Sequence, residues 1–247
     1  MASSTSPASV IATTAELETF LSAIPPSTTL YLDLEGQSLC RHGTISLITI
    51  LLHPQKIVRL VDVLSLGKSA FTTTSKDGKK SLKSIFEDPT VPKCLWDVRN
   101  DADALLALYN VNLAGVTDIQ LLENASRRRD KTYLYGLDKA IQSDLRLRYP
   151  DYSRWKNTKT AITALMRSNI FAVRPLDAKT IQYCANDVVH LPSLRDLYLK
   201  RIKPDWLEKA KQESARRVEE VHSPSYQPHS PNKKMGPWGS GTDGGSQ

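Results

Sequence analysis

A chain of 247 residues, 40% hydrophobic and 24% charged, is long enough for one substantial domain and has an ordinary globular composition. No apolar run reaches the roughly 18 residues of a membrane span, and three scattered cysteines (Cys40, Cys94 and Cys184) without a C-x-x-C spacing exclude a thiolate metal centre and fit a reducing compartment. The net charge of +7 leans towards polyanionic partners, and no basic residue precedes Arg41, so neither a secretory nor an arginine-rich targeting peptide is expected and the location expected is nucleus or cytoplasm, not a membrane.

Residues 1–11 are small and polar and are expected to be flexible. "TTAELETFLSAI" then predicts a helix, with Thr13 and Glu16 in capping-box spacing and Leu17, Phe20, Leu21 and Ile24 as its apolar stripe. Pro25 and Pro26 end it. Three runs rich in aliphatic and β-branched residues follow as strands: "TLYLDLEG", "TISLITILL" and "KIVRLVDVL". "TTTSKDGKKS" is a loop before a short helix around Leu82 to Phe86. "VPKCLWDV" is a further short strand running into a helix from Arg99 to Tyr109, and "LAGVTDIQLL" a strand and helix start. Beyond it the pattern is helical to about residue 221. "SPSYQPHSPNKKMGPWGSGTDGGSQ" is rich in Ser, Pro and Gly, and its composition predicts disorder. Antiparallel opening strands followed by alternating strands and helices predict one α/β domain with a mixed sheet.

Four acids stand out against this background. The strand period of two places Leu30, Leu32 and Leu34 on one face of "TLYLDLEG" and Tyr31, Asp33 and Glu35 on the other. On so apolar a set of strands, paired carboxylates repel and raise each other's pKa unless a cation sits between them. An oxygen-only donor set of this kind suits Mg²⁺ or Mn²⁺. In "VRNDADALLALY", Asp101 shares a helical stripe with Leu105 and Leu108 and is predicted to face inward, whereas Asp103 is predicted to face water. Asp101 can equally serve as an acidic charge at the positive end of the helix. In "IQYCANDVVHL", Ile181, Cys184, Ala185, Val188 and Leu191 form the buried face, Gln182, Asn186 and His190 the wet one. Tyr183 and Asp187, one turn apart, fall on the border between them.

The order "DLE", "RNDADALL", "YCAND" resembles the three exonuclease motifs of the DEDD superfamily of 3′–5′ exonucleases. A tyrosine four residues before the last aspartate resembles the tyrosine subclass. "RHGTISLITI", "VTDIQLLE" and "RPLDAKTIQYCANDVVHLPSLRDLY" resemble the segments around those motifs, and "DVRNDADAL" is most similar to the ribonuclease D-like and Egalitarian-like branch. The resemblance spans residues 14 to 205. It departs from the family at Trp96 and Thr117, where relatives often have histidine and phenylalanine.

This resemblance implies a ribonuclease H-like mixed sheet flanked by helices. The exonuclease domain would cover residues 12–221 with its motifs within 30–191, between a flexible start (1–11) and a disordered tail (222–247). It also implies that Asp33, Glu35, Asp101 and Asp187 hold two divalent ions, Mg²⁺ or Mn²⁺, about 3.5–4 Å apart, across an in-line displacement at phosphorus. Tyr183 would orient the attacking water. The implied reaction releases nucleoside 5′-monophosphates from the 3′ end of a single-stranded RNA or DNA. A catalytically silent nucleic-acid-binding adaptor of the same fold is the alternative, though an adaptor has no physical need for four converging carboxylates.

Two basic stretches bear on the substrate. In "RLRYPDYSRWKNTK" (146–159), Arg146, Arg148, Arg154, Lys156 and Lys159 alternate with Tyr149, Tyr152 and Trp155. Cations on phosphates and aromatic faces under bases suit a single strand; aromatics packed in the core beneath solvated cations are the other reading. "RRRDK" (127–131) reads as a solvated loop, and "LEKAKQESARRVEEV" as an exposed helix. Lys233, Lys234 and Trp238 of "KKMGPW" form a short docking motif or part of the disordered tail.

Overall fold

The computed structural model of the protein describes residues 8–240. Strand β1 (Ser9–Ile11) precedes helix α1 (Thr14–Ala23), which starts on the expected capping box. Thr13 Oγ1 accepts from the Glu16 amide at 3.2 Å, and the Glu16 carboxylate accepts from the Thr13 amide at 3.0 Å. Such a cap stabilises a helix by about 1 kcal/mol. The three aliphatic runs form β2 (Thr29–Glu35), β3 (Leu47–His53) and β4 (Ile57–Asp62). Short helices α2 (Val63–Leu66), α3 (Ser69–Thr72) and α4 (Leu82–Glu87) lead to β5 (Lys93–Leu95), α5 (Arg99–Tyr109), β6 (Val116–Asp118) and α6 (Ile119–Ser126). Helices α7 (Leu137–Asp144), α8 (Tyr149–Leu165), α9 (Ala178–Val189), α10 (Leu191–Arg201) and α11 (Pro204–Glu219) follow. No helix among the described residues is long and apolar enough to cross a membrane.

The six strands form one mixed sheet in the order β1-β4-β3-β2-β5-β6. β2, β3 and β4 are antiparallel neighbours, whereas β1, β5 and β6 join in parallel. The period of β2 splits the core as its sequence predicts. Leu30, Leu32 and Leu34 pack with Leu17 and Leu21 of α1 and Ala102 and Leu105 of α5. Tyr31, on the opposite face, packs with Cys184, Ala185 and Val188 of α9. Helix α9 therefore lies on the sheet face to which β2 directs Asp33 and Glu35, and it crosses β2, β3 and β4.

Three expectations need correction at the ends of the chain. Residues 9–11, expected to be flexible, pair in parallel with Arg59, Leu60 and Val61, and Ile11 is buried; residues 1–7 lie outside the described residues. Helix α11 is not an exposed charged helix. Trp206, Ala210, Ser214 and Val218 recur every four residues and bury one stripe against α6 and β6, and Arg217 beside that stripe is buried too. Its mixed charges occupy the other side, and a stripe this narrow is easily masked in composition.

The expected disorder of 222–247 fails over the described part, 222–240. Leu134 donates its amide to the Lys234 carbonyl at 2.9 Å, Gly236 to that of Thr132 at 2.7 Å, and Trp238 meets Trp206 edge-on with ring centroids 5.5 Å apart. Polar composition made the segment a poor core former by itself, but backbone pairing, the Trp238–Trp206 contact and Tyr226 packed on the core beneath Arg41 hold it. The loop 127–131 is likewise only partly solvated. Arg128 and Arg129 are exposed, but Arg127 pairs with Glu123 at 2.7 Å and lies 3.6 Å from the Tyr135 ring centre, while Lys131 is buried.

Candidate active site

One cavity of about 290 Å³ gathers all five candidate residues. Asp33, Glu35, Asp101, Tyr183 and Asp187 line it, together with Trp96, Asp97, Asn100, Leu137, Lys159 and Lys233 among others. β2 supplies Asp33 and Glu35 from alternate positions on one face. The chain turns away directly after them at Gly36, where a Cβ would lie 1.9 Å from the Thr44 carbonyl oxygen, so only glycine fits this approach of two backbones.

Asp101 reaches the cavity from the first turn of α5. Both readings of it hold at once: it is near the positive end of the helix, and it is buried. β5 pairs with β2 only at Leu30 and Tyr31, so the farther end of that β2 edge is open to a side chain. Asp101 Oδ1 takes this place and accepts the Leu34 amide at 3.1 Å. Asp103 departs from expectation. It is 1% exposed and pairs with Arg41, Nε to Oδ1 at 2.7 Å, while its other oxygen accepts the Arg41 amide at 2.7 Å. Arg41 in turn donates to the Val221 carbonyl at 2.7 Å. The helical period counted Asp103 as outward because it could not include the C-terminal segment that covers that side.

From α9, Asp187 meets Asp33 and Glu35. One carboxylate oxygen from each of the three lies within 4.8 Å of the others. Asp101 stands outside this group of three, on the same cavity. Tyr183 is buried against Phe171, with ring centroids 5.9 Å apart, and lines the same cavity as Asp187 one turn on. The border position read from the sequence is thus the edge of an internal cavity.

Electrostatics follow from burial and crowding. Burial, then the charges of Glu35, Asp187 and Asp101, pushes Asp33 well above the usual carboxylate range. Glu35 is raised in the same way by burial, Asp187 and Asp101. Burial pushes Asp101 up to about 8, with the charge of Asp97 adding to it. Burial raises Asp187 to about 6 against the opposing charge of Lys159, whose Nζ is 3.9 Å from Asp187 Oδ1. Burial and the neighbouring carboxylates also raise the Tyr183 phenol, so it remains a protonated donor. Among the described residues, Asp33 Oδ2 finds no hydrogen-bond partner although it is buried. Repelling oxygen donors with an orphaned lone pair make a poor protein-only arrangement and a suitable one for hard divalent cations.

Sequence reasoning missed the supports of this site. Asp118, at the end of β6, accepts the amides of Asp97 at 3.0 Å, Val98 at 3.1 Å and Gln120 at 3.0 Å. Arg217 of α11 neutralises it at 2.6 Å, both side chains being fully buried. The start of α5, and with it Asp101, is fixed by this pair. The signal was faint: "VTDIQ" holds an aspartate before a helix, but its cation lies 99 residues away. Segment 146–159 divides between its two readings. Trp155 is buried in the core and Tyr152 stacks near it, whereas Tyr149 is 81% exposed. Lys159 and Lys156 lie 5.5 and 5.9 Å from the Trp155 and Tyr152 ring centres. They border a second cavity of about 640 Å³ that shares Lys159 with the carboxylate site.

A family profile described as 3′–5′ exonuclease matches residues 8–203. Among curated proteins, none matches the chain in sequence. Among solved structures, Trypanosoma brucei RNase D in complex with GMP is similar over 98% of this chain and 76% of that one, with 21% identity and a TM-score of 0.73. The same enzyme in complex with RNA U12 is similar over 87% and 71%, with 22% identity and a TM-score of 0.70. Escherichia coli RNase D is similar over 87% of this chain, which spans half of that protein, with 20% identity and a TM-score of 0.63. These likenesses confirm the ribonuclease H-like fold of a mixed sheet flanked by helices. The profile match covers well over half of the sequence, and on it the chain belongs to the 3′–5′ exonuclease family.

Proposed function

We propose that this protein is a divalent-metal-dependent exonuclease of the tyrosine subclass, removing nucleoside 5′-monophosphates from the 3′ end of single-stranded nucleic acid. The observation that carries the reading is the convergence of Asp33, Glu35 and Asp187 within 4.8 Å, with Asp101 and Tyr183 on the same cavity. RNA is the favoured substrate, supported by the likeness to an RNase D found in complexes with RNA U12 and with GMP.

Asp33, Glu35 and Asp187 would hold Mg²⁺ or Mn²⁺ ions, with Asp101 as the outlying fourth ligand. A bound divalent pair supplies positive charge on both the attacking and the leaving side of an in-line displacement at phosphorus. The remaining work belongs to the chain. Tyr183, protonated and packed against Phe171, orients a water towards phosphorus. It does not act as a base, because its buried phenol does not ionise near neutral pH. Lys159 faces the same cavity and offers charge to the phosphate as its negative charge grows. Lys156, Tyr152 and Trp155 border the adjoining cavity, and the strand would reach the site along it.

The test is degradation of 3′- and 5′-labelled single strands of RNA and DNA with Mg²⁺, Mn²⁺ or excess chelator. Stepwise shortening from the 3′ end, with mononucleotide product and only with metal, is the expected result. Strand binding without any cleavage would instead establish a silent adaptor.

A further inference from the structure

The described part of the C-terminal segment, outside the three exonuclease motifs, places Lys233 in the wall of the carboxylate cavity. We infer that Lys233 is a substrate-positioning residue whose ammonium contacts a backbone phosphate of the strand bound in that cavity. The choice of ligand rests on the exonuclease reading above.

The geometry is that of a cation held in place. Lys233 Nζ donates to the side-chain oxygen of Asn100, the residue before Asp101, and to the Tyr226 hydroxyl at 2.6 Å; it also lies 4.8 Å from the Tyr226 ring centre. Both acceptors are neutral oxygens, and although burial and the nearby Arg99 pull Lys233 down to about 8, it remains mostly an ammonium at neutral pH. The backbone is fixed on either side of it. Arg99 donates to the Lys233 carbonyl at 2.8 Å, Ser230 Oγ caps the turn Pro231–Lys234, and the Lys234 carbonyl accepts from Leu134. Tyr226 itself donates to the Arg99 carbonyl at 3.2 Å. A lysine normally gives up much side-chain freedom to make a contact, and here it is already ordered before any ligand arrives.

Charge balance gives this cation a task. With Asp97 on the same cavity paired to Arg99, the other four carboxylates, ionised, and two divalent ions have a formal sum of zero, so the negative charge of an entering phosphodiester is left to the surrounding protein. Among the described residues, two lysines line the cavity. Lys159 lies against Asp187 on the α8 side, and Lys233 stands beside Asn100 on the α5 side. An ammonium acts on phosphate as a point charge and needs no bidentate geometry, so the one N–H that Asn100 and Tyr226 leave over is sufficient.

The experiment compares wild type with Lys233→Gln, Lys233→Arg and, as a control on the exposed neighbour, Lys234→Gln. Single-strand RNA binding is followed by fluorescence anisotropy from 50 to 300 mM salt, alongside kcat and KM in Mg²⁺ and thermal melting. Lys233→Gln is expected to weaken binding and raise KM about 10-fold while changing kcat less than about 2-fold, as for one lost charged hydrogen bond. Its salt dependence should be shallower by about 0.7 in slope, the share of one phosphate contact on a single strand. Lys233→Arg should restore both, and Lys234→Gln should resemble wild type. Equal salt slopes for wild type and Lys233→Gln overturn the inference, whatever the cleavage rates. So does an equal loss of binding and melting temperature in the Gln and Arg variants, which would make Lys233 an anchor of the segment only. A wild type that binds RNA but cuts nothing refutes the exonuclease reading, and the slopes then judge the Lys233 contact alone.

Discussion

Asp101 Oδ1 accepts the backbone amide of Leu34, 67 residues earlier and flanked in β2 by Asp33 and Glu35. The bond couples the second acidic motif directly to the first, with the carboxyl groups from both motifs on one cavity. Asp101→Asn is therefore expected to do two kinds of damage: it removes the charge of the proposed fourth ligand, and a carboxamide in the wrong orientation turns a donor towards that amide. Cleavage should fall at least about 10³-fold, more than one lost neutral hydrogen-bond donor costs a catalytic site. Single-turnover assays at saturating Mg²⁺ measure this, and circular dichroism checks folding.

Asp103→Asn, two residues on, should behave differently from an exposed substitution. The Asp103–Arg41 pair is buried on the aspartate side, and removing one member leaves the other charge uncompensated. A loss of about 3 kcal/mol in stability is expected, with cleavage at low temperature close to wild type. Arg41→Gln combined with Asp103→Asn should cost less than the sum of the two, because they share one interaction. Urea unfolding of the four proteins decides the point.

Tyr183→Phe keeps the ring that packs on Phe171 and removes only the hydroxyl. A fall in kcat on the order of 10²-fold with little change in KM is the expected outcome, since a water held in line matters mainly in the transition state. Asp187→Asn should be more severe. Because burial keeps the phenol protonated, the wild-type pH–rate profile should show no tyrosine limb below pH 9. Wild-type rates for Tyr183→Phe would leave this tyrosine with a packing role alone.

The metal-free protein should respond to pH in a direction opposite to that of ordinary ion-paired carboxylates. Asp101 is raised to about 8 and Asp187 to about 6, both principally by burial, whereas an unfolded aspartate titrates near 4. The folded state thus binds more protons between these values, and stability declines as pH rises from about 4 through about 8. Divalent cations require the ionised carboxylates and should oppose this decline. Thermal melting in chelator should show a lower Tm at pH 8 than at pH 5.5, and Mg²⁺ or Mn²⁺ should raise Tm more at pH 8. A metal-free Tm that climbs over this range would contradict the assignment of the cluster.

Arg217→Met tests whether α11 holds the start of α5. It leaves Asp118 buried without its cation while the amides of Asp97 and Val98 still point at it. A loss of about 3 kcal/mol in stability is expected, with reduced cleavage as Asp101 shifts relative to β2. Asp118→Asn combined with Arg217→Met should recover part of the stability.

The sequence alone determined what depends on neighbours along the chain. The capping box at Thr13 and Glu16, the two faces of β2, and the one-turn spacing of Tyr183 and Asp187 are local periodicities, and each survives into the structure. The motif order identified the family, because its acids are separated by fixed elements rather than by chance contacts. What only the tertiary structure decided involves partners far away in sequence. Asp103 faces inward because Arg41 and the segment after α11 cover it. The apparently exposed helix α11 is buried along one stripe because α6 and β6 meet it, and Arg217 reaches an aspartate 99 residues earlier. Residues 222–240 read as disordered because their composition buries little by itself, yet they gain order by adding hydrogen bonds and the contacts of Tyr226 and Trp238 to a surface already built. A helical or strand period reports only which side of an element differs from the other. Which side is covered, and by what, is fixed when distant segments pack.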